Sequence, residues 1–294
     1  MQIEKQLIVV GIGELLWDVF PDGKKAGGAP INFVYHATQL GAKGYAVSAV
    51  GNDDLGREIL SRLKQSGING IIEHVDYPTG KVLVTLQNGI PEYEIVENAA
   101  WDYLPCSPKA VRVLQRADAV CFGTLALRGK ESREHILQML SCVPDTAVKL
   151  YDINLRQHYY SPELIETLLK RANVFKINID EMAVIRPLFN LSGSDEEVCR
   201  ALMRRYNLKY VIFTAGEKFS TVYAPDETSY FETPAVKVAD TVGAGDSFSA
   251  AFVYSLLTGK SLQQAHQTAI KVSAFVCTRE GAWPKYEADI KGEK

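Results

Sequence analysis

The sequence is poor in the residue patterns that hold zinc or form disulfides. Its five cysteines are odd in number and scattered, with no C-x-x-C pair, and its five histidines show no metal-ligand spacing. This pattern favours buried thiols in a reducing compartment, so we expect a cytoplasmic protein without disulfides or zinc. The cysteines are Cys106, Cys121, Cys142, Cys199 and Cys277.

The chain also lacks long apolar runs and a strong net charge. The apolar segment Leu7–Ile12 is soon followed by Glu14, so it is too short for a signal peptide or a membrane span. The formal net charge is −3 and the isoelectric point is about 6.0. Neither a nucleic acid nor an anionic membrane is therefore an expected partner.

What the chain does contain fits one globular domain. It has 294 residues, of which 47% are hydrophobic and 23% charged, and it shows no internal repeat and no low-complexity linker. Apolar runs predict strands at Leu7–Ile12, Ala46–Val50, Ala117–Phe122, Val148–Ile153, Val174–Ile177 and Tyr210–Phe213, and a late helix is predicted over Gln263–Thr278. Predicted strands alternate with predicted helices along most of the chain. This order predicts an α/β fold over residues 1–294, with a mostly parallel sheet and helices on both faces.

The most informative stretch is Asp240–Phe248, where a strand turns into a helix. A strand is predicted over Ala235–Ala239, and apolar residues at helical spacing from Phe248 predict a helix that ends at Gly259. Glycines in the turn let a ligand approach the main chain. The N–H groups and the dipole at the helix start favour an anion such as a phosphate.

Asp246 lies just inside this predicted helix. A carboxylate would repel a bound phosphate, unless its task is to take a proton from a hydroxyl group that attacks the phosphorus. We therefore predict phosphoryl transfer, with Asp246 as general base and the N–H groups of Gly243, Ala244 and Gly245 facing the developing charge. On spacing alone, a plain helix start with glycine for the turn and aspartate for the dipole explains the pattern equally well.

A second glycine segment lies near the beginning of the chain. Asp18 precedes the run Gly27-Gly28-Ala29-Pro30-Ile31-Asn32, after which a helical pattern begins. Paired glycines admit a ligand close to the main chain, and the Asp18 carboxylate and the Asn32 amide suit hydroxyl groups as hydrogen-bond partners. The alternative is a structural loop with an asparagine near a helix start.

Residues from about 68 to 98 alternate between apolar and polar side chains, as at Val82 and Val84, with a turn predicted at Asn88-Gly89. Such alternation predicts half-exposed antiparallel strands. We predict a small β lid over the active site, built mainly from residues 68–98 with a contribution from 14–32. A decorative β-meander is the alternative. An exposed sheet face also invites pairing with a second subunit, so we expect a homodimer formed through the lid.

Two further groups of polar residues follow predicted strands. Asp152, Asn154 and Arg156 occupy alternate positions after a buried-looking strand, so an extended chain would place them on one side, at the sheet edge where α/β proteins bind ligands. A surface salt bridge is the alternative for Arg156. Asn178 and Glu181 share a helical face at i and i+3, although a helix N-cap with a glutamate at its third position has the same spacing.

The stretch Asp240–Asp246 resembles the D-T-x-G-A-G-D signature of the pfkB (ribokinase-like) carbohydrate kinases at every fixed position. The resemblance extends over essentially the whole chain and implies a ribokinase-like α/β fold with a small antiparallel β lid. Further segments are similar to G-G-A-P-x-N at Gly27–Asn32, D-x-N-x-R at Asp152–Arg156, N-x-x-E at Asn178–Glu181 and part of T-x-G-x-x-G at Thr214–Gly216.

The resemblance implies an ATP-dependent sugar kinase in which Arg156 braces the sugar or the transferred phosphoryl group. The lid would cover the sugar and contribute to the dimer interface. The sugar-binding residues would be Asp18, Gly27, Gly28, Asn32, Asn154 and Arg156, and the nucleotide-binding residues Asn178, Thr214, Gly216, Gly243 and Gly245.

The resemblance also implies two metal sites. Glu181 would position Mg²⁺ beside the phosphates through water, as expected for an ion that keeps much of its hydration shell. Main-chain carbonyl groups near Asp240 and Val242 would bind a monovalent cation such as K⁺. The chain departs from the family at Phe219, which replaces the second glycine of the nucleotide motif, and at Lys271, where an asparagine is common.

The glycine segment and the D-x-N-x-R motif favour a fructokinase-like member that converts fructose to fructose 6-phosphate. Kinases for ribose, 2-keto-3-deoxygluconate or nucleosides share the same chemistry. A nucleoside would need a more apolar pocket with aromatic stacking, and the polar Asp18, Asn32 and Arg156 argue against it. A sugar sensor without activity is the alternative from another class, but it would be expected to have lost the base or the anion loop, and this chain retains both.

Overall fold

Strands and helices alternate along the chain, and the strands form two sheets. In the computed structural model, which describes residues 6–87 and 90–291, these sheets have nine and four strands. The strands are β1 (Ile8–Ile12), β2 (Leu16–Phe20), β3 (Gly23–Gly27), β4 (Lys43–Gly51), β5 (Asn69–Val75), β6 (Gly80–Gln87), β7 (Ile90–Ile95), β8 (Ala119–Gly123), β9 (Val148–Asp152), β10 (Val174–Asn178), β11 (Tyr210–Thr214), β12 (Phe219–Tyr223) and β13 (Thr228–Glu232). The helices are α1 (Ala29–Gln39), α2 (Asp54–Gln65), α3 (Pro108–Leu114), α4 (Lys130–Leu140), α5 (Pro162–Leu169), α6 (Ile179–Leu188), α7 (Asp195–Tyr206), α8 (Ala244–Leu257), α9 (Leu262–Cys277) and α10 (Ala288–Lys291).

The large sheet has the order β13-β12-β11-β10-β9-β8-β1-β4-β5. Its neighbours are parallel from β5 to β11, and β12 and β13 add an antiparallel pair at one edge. The prediction of a mostly parallel sheet is therefore confirmed. The strand order runs outward in opposite directions from β1 and β8, and α/β proteins bind ligands beyond the carboxyl ends of the strands at such a reversal.

Alternate residues of the buried strands supply two cores on opposite faces of the large sheet. In β1, Val10 and Ile12 belong to the core shared with α3 to α7, whereas Val9 belongs to the core shared with α1, α2, α8 and α9. Because helices cover both faces, the central strands are apolar at nearly every position. No helix in the described ranges combines the length and the apolar character needed to cross a membrane.

The small sheet has the order β3-β2-β6-β7, with antiparallel pairs β2–β3 and β6–β7 joined by a parallel pairing of β2 with β6. The segment predicted to form the lid, residues 68–98, is too long. Its first strand, β5, pairs with β4 at the edge of the large sheet and does not belong to the small sheet. An edge strand is half-exposed and therefore lacks the continuous apolar run that identifies a buried parallel strand. The predicted turn at Asn88-Gly89 lies outside the described residues.

The strand predicted over Ala235–Ala239 is wrong. These residues are exposed and irregular, and they follow Pro234 after the edge strand β13 has ended. The N–H of Ala239 donates instead to the carbonyl oxygen of Cys277 at the end of α9, at 2.8 Å. The chain thus reaches α8 along the surface and not through the sheet.

Candidate active site

The candidate site is centred on the turn before α8. Gly243 caps this helix with φ +78°, a left-handed conformation that glycine adopts without strain. A Cβ atom at Gly243 would lie 3.0 Å from Ala282, so the close approach of the two loops also favours glycine. Asp246 is the third residue of α8 and lies in its first turn, where the sequence predicted it.

The N–H groups of the first turn have no acceptor within the helix. The N–H of Ala244 donates to the carbonyl oxygen of Thr241 at 3.2 Å, so this predicted donor is already engaged in the turn. At the next residue, Gly245, an added Cβ would meet, among the residues that the structure describes, only the Lys176 side chain, 3.2 Å from Nζ. The main chain at Gly245 is exposed, which suits the approach of an anion.

The carboxylate of Asp246 is held by a hydrogen bond from α1. Asn32 Nδ2 donates to Asp246 Oδ2 at 2.8 Å, and Asn32 Oδ1 accepts from the indole nitrogen Nε1 of Trp283 at 2.7 Å. The structure therefore brings together Asn32 and Asp246, which lie 214 residues apart and were predicted to contact the sugar and its proton. Trp283 was not predicted, because an isolated tryptophan in a loop carries no recognisable motif.

Burial, together with the nearby carboxylate of Asp152, raises the pKa of Asp246 to about 6. The hydrogen bond from Asn32 and the positive charges of Lys176 and Arg156 act in the opposite direction. A carboxylate with this pKa is mostly ionised at pH 7, and it is more basic than an exposed aspartate. These are the properties expected of a general base.

A buried ion pair lies beneath the turn. Lys176 Nζ contacts Asp152 Oδ2 at 2.8 Å, and the two side chains are only 8% and 6% exposed. Burial alone would lower the pKa of Lys176, but Asp152, Glu181 and Asp246 raise it, so the ammonium group stays charged. Lys176 was not among the predicted site residues, although a lysine between the apolar residues Phe175 and Ile177 of strand β10 is a signal that the sequence does carry.

Asp152, Asn154 and Arg156 do not continue as an extended strand. Strand β9 ends at Asp152, and Asn154 has φ +39°, which turns the chain and breaks the predicted alternation. Asp152 faces Lys176, whereas Arg156 is exposed and donates from Nη1 to the carbonyl oxygen of Leu155 at 3.0 Å. The charge of Arg156 nevertheless lowers the pKa of Asp246.

The space beside the paired glycines before α1 is occupied by other residues of the protein. A Cβ at Gly27 would lie 2.7 Å from Asp18 Oδ2, and a Cβ at Gly28, where φ is +118°, would lie 2.0 Å from the carbonyl oxygen of Glu14. The glycines therefore allow β2 and the loop after β1 to pack against the start of α1. Burial raises the pKa of Asp18 to about 6, although Arg156 lowers it.

Glu14 is a buried acid that was not predicted as a site residue. Its side chain accepts a hydrogen bond at Oε1 from the N–H of Ala29 at 3.1 Å, while Oε2 is buried and has no partner among residues 6–87 and 90–291. Burial raises the pKa of Glu14 to about 7; the charge of Asp246 raises it and that of Arg156 lowers it. The unusual feature in the sequence was a glutamate directly after an apolar strand and Gly13.

Asn178 and Glu181 form the helix cap that was the alternative explanation of their spacing. Asn178 Oδ1 accepts from the N–H of Glu181 at 2.9 Å, while Glu181 Oε2 accepts from the N–H of Asn178 at 2.8 Å and Oε1 from the N–H of Leu155 at 3.1 Å. Each carboxylate oxygen keeps a second lone pair, so these residues fit a water-mediated contact with Mg²⁺. No group of three His, Cys, Asp or Glu residues in the described ranges is arranged as direct metal ligands.

The predicted nucleotide-binding residues lie at the same edge of the sheet. Asn178 and Thr214 are register partners at the carboxyl ends of β10 and β11, and Gly216 follows in a turn with φ +58°. Phe219, which replaces the second glycine of the family motif, begins β12 and packs against Phe213 with ring centroids 6.1 Å apart.

Asp240 connects three segments around the turn. Its Oδ2 accepts from Lys25 Nζ at 3.1 Å and from the N–H of Gly281 at 3.0 Å, and its Oδ1 accepts from the N–H of Val242 at 3.0 Å. Burial raises the pKa of Asp240, but these hydrogen bonds and the charge of Lys25 outweigh it, so the pKa is lowered. The side chain thus orders the loop in which the cation-binding carbonyl groups are predicted.

Comparison with known proteins agrees with this geometry. The model of the pfkB family carbohydrate kinases matches residues 12–288. Probable fructokinase-5 of Arabidopsis thaliana is 28% identical over 98% of this chain and 96% of its own length. The ATP-dependent 6-phosphofructokinase of Thermoanaerobacterium thermosaccharolyticum is 27% identical over 95% and 90%. An E. coli chain solved with ATP and Mg²⁺ superposes with a TM-score of 0.85 at 22% identity, covering 98% of both chains.

Proposed function

The chain belongs to the pfkB family of carbohydrate kinases, and on this basis we propose that it transfers the γ-phosphoryl group of ATP to a hydroxyl group of a neutral sugar, with fructose as the favoured substrate. Family membership confirms the predicted phosphotransferase activity toward an alcohol group and the ribokinase-like fold. The observation that carries the proposal is the hydrogen bond from Asn32 to Asp246 in the first turn of α8. Asn32 thereby holds the basic carboxylate of Asp246 beside the N–H groups at the start of α8.

In the proposed reaction, Asp246 accepts the proton of the attacking sugar hydroxyl. The sugar oxygen forms a bond to the γ-phosphorus while the bond from that phosphorus to the ADP oxygen breaks. Negative charge on the transferred phosphoryl group is stabilised by the N–H groups near Gly243 and Gly245 and by the buried ammonium group of Lys176. Arg156 supplies a further positive charge from the loop after β9.

ATP and Mg²⁺ fit the carboxyl edge formed by β10 and β11. The neighbouring E. coli structure contains both, which supports the proposal for this chain. When bound, Mg²⁺ would neutralise charge on the β- and γ-phosphates, and Glu181 would hold it through water. The carbonyl groups near Asp240 and Val242 remain the proposed site for a monovalent cation.

The charges on the sugar side favour an uncharged substrate. Three acids lie against the start of α1: Glu14 accepts from the N–H of Ala29, Asp18 lies against Gly27, and Asp246 accepts from Asn32. A substrate carboxylate or phosphate would add a further negative charge to this group and be repelled. This argument favours fructose or ribose over 2-keto-3-deoxygluconate, and also over fructose 6-phosphate, on which the Thermoanaerobacterium relative acts by its name. The fructokinase name of the Arabidopsis relative supports fructose.

A sugar panel with ATP and Mg²⁺ tests the proposal. ATP consumption is measured with fructose, ribose, a nucleoside, 2-keto-3-deoxygluconate and fructose 6-phosphate, and we expect kcat/KM to be highest for fructose. Turnover highest for one of the acidic sugars would contradict the charge argument. Binding of a sugar without ATP consumption would identify a sensor and would refute the kinase proposal.

We also propose that the four-stranded sheet is a lid that pairs two subunits. Strand β7 is one of the two edge strands of this sheet, and Tyr93 on β7 is 58% exposed. Gln157 Nε2 donates to the carbonyl oxygen of Tyr93, but no strand within the described residues pairs with the outer edge of β7. Such an edge with an exposed aromatic residue favours association. Light scattering after size-exclusion chromatography should give the mass of a dimer, and Tyr93→Lys should shift it toward the monomer mass. An unchanged mass of the variant, or a monomeric wild type, would contradict this assembly.

A further inference from the structure

Trp283 lies in the loop between α9 and α10 and reaches the proposed general base through one side chain. Its indole Nε1 donates to Asn32 Oδ1 at 2.7 Å, and Asn32 Nδ2 donates to Asp246 Oδ2 at 2.8 Å. The indole ring stacks on Tyr35 of α1, with ring centroids 5.4 Å apart and planes 7° from parallel. Packing thus holds the ring in one orientation.

The chemistry of the three groups selects one orientation of the Asn32 amide. An indole N–H can only donate a hydrogen bond and an ionised carboxylate can only accept one. With the amide rotated by 180°, Nδ2 would face the indole N–H and Oδ1 would face the Asp246 carboxylate. Both hydrogen bonds would then be replaced by repulsive contacts, so the indole keeps an amide N–H directed at Asp246.

We propose that Trp283 is a positioning residue for phosphoryl transfer, which acts by holding the Asn32 amide so that it engages Oδ2 of Asp246 and leaves Oδ1 to accept the proton of the sugar hydroxyl. The inference rests on the proposed function. It also narrows the role of Asn32, because one lone pair of its Oδ1 accepts from Trp283 and one Nδ2 hydrogen is donated to Asp246, which leaves the second lone pair and the second Nδ2 hydrogen for the sugar.

The decisive variant is Trp283→Phe, which keeps an aromatic ring against Tyr35 but removes the N–H donor. We expect kcat to fall about tenfold, equivalent to about 1.4 kcal/mol, with KM for ATP unchanged within about twofold. A hydrogen bond to the charged form lowers a pKa, so a loosened Asn32 amide raises the pKa of Asp246 and moves the acid limb of the kcat profile to higher pH. A carboxyl-carbon NMR titration of Asp246 should report the same shift without ATP.

Tyr103→Phe is the matched control. Tyr103 Oη also donates one hydrogen bond to the Oδ1 of an asparagine, Asn98, at 3.0 Å, but this bond does not reach Asp246. We expect the kcat and the acid limb of this variant to match wild type within about twofold. Thermal unfolding of both variants detects any loss of folding.

A double-mutant cycle tests whether Trp283 acts through Asn32. In an Asn32→Ala background, Trp283→Phe should have no further effect on kcat or on the pKa of Asp246. The relay of hydrogen bonds from Trp283 through Asn32 to Asp246 is then already broken. Additive losses, or a Trp283→Phe enzyme with wild-type kcat and acid limb, would overturn the inference. Absence of wild-type turnover on every sugar would instead refute the proposed function, while the NMR titration would still test the relay.

Discussion

Two glycine-containing helix starts lie on either side of the candidate site, and they use glycine for different reasons. At Gly27-Gly28 the missing side chains make room for the protein's own Asp18 and Glu14. At Gly245, before Asp246, an added Cβ would meet, within the described ranges, only the end of a lysine side chain, and the main chain is exposed. Paired glycines therefore indicate a close approach, but only the structure shows whether the approaching group is the chain itself or leaves room for a ligand.

The largest expected effect is the loss of activity when the carboxylate of Asp246, in the first turn of α8, is replaced. Asp246→Asn should lower kcat by about 10²–10⁴, because the amide cannot accept the hydroxyl proton. Steady-state kinetics with fructose and ATP measures the loss. Asp54→Asn changes an exposed first-turn carboxylate of α2 and serves as the control, with kcat expected to be unchanged. Near-wild-type turnover of a folded Asp246→Asn enzyme would remove the base from this residue.

A substitution at Gly28, where the protein itself occupies the space beside the glycine, should lower the stability of the fold. Gly28→Ala places a Cβ 2.0 Å from the carbonyl oxygen of Glu14 at φ +118°, so the free energy of unfolding should fall by about 3 kcal/mol or more. Gly259→Ala also has a positive φ, of +80°, but no atom of the described residues lies within 4 Å of the added Cβ. It should cost only about 1 kcal/mol. Urea denaturation of the two variants compares them, and equal losses would show that strain and not the contact controls Gly28.

A substitution at Gly245, where the main chain is exposed, should lower activity and leave stability nearly unchanged. Gly245→Ala adds a methyl group 3.2 Å from Lys176 Nζ, next to the buried ammonium group beneath the first turn. We expect kcat to fall about tenfold, as for the loss of part of an anion site, while alanine in a helix offsets strain and keeps unfolding within about 1 kcal/mol of wild type. An unchanged kcat would indicate that the phosphoryl group does not approach Gly245.

The smallest effect is the pH dependence near neutrality. Because Asp246 must be ionised to accept a proton and its pKa is raised to about 6, kcat should be half-maximal near pH 6. It should fall about tenfold per unit below that and change less than about twofold between pH 7 and 8. A kcat profile from pH 5 to 8 tests this, and an acid limb near pH 4 would mean that burial does not control the base.

Much of the fold could be predicted because its signals are local. Apolar runs identified β1, β4, β8, β9, β10 and β11, and helical spacing identified α8 and α9 within a few residues. The errors were at β5 and at Ala235–Ala239, where exposure and sheet position decide the structure. Neither of these can be read from a short window of sequence.

For the site, short sequence patterns were sufficient to predict the turn at Gly243, the position of Asp246 and the cap formed by Asn178 and Glu181, because each depends on residues only a few positions apart. The groups that contact these residues come from distant parts of the chain and could not be predicted in this way. The ion pair of Lys176 with Asp152 depends on the register of β9 and β10, and the contact of Trp283 with Asn32 joins residues 251 positions apart. Such contacts arise when separate elements pack, so no local pattern in the sequence encodes them.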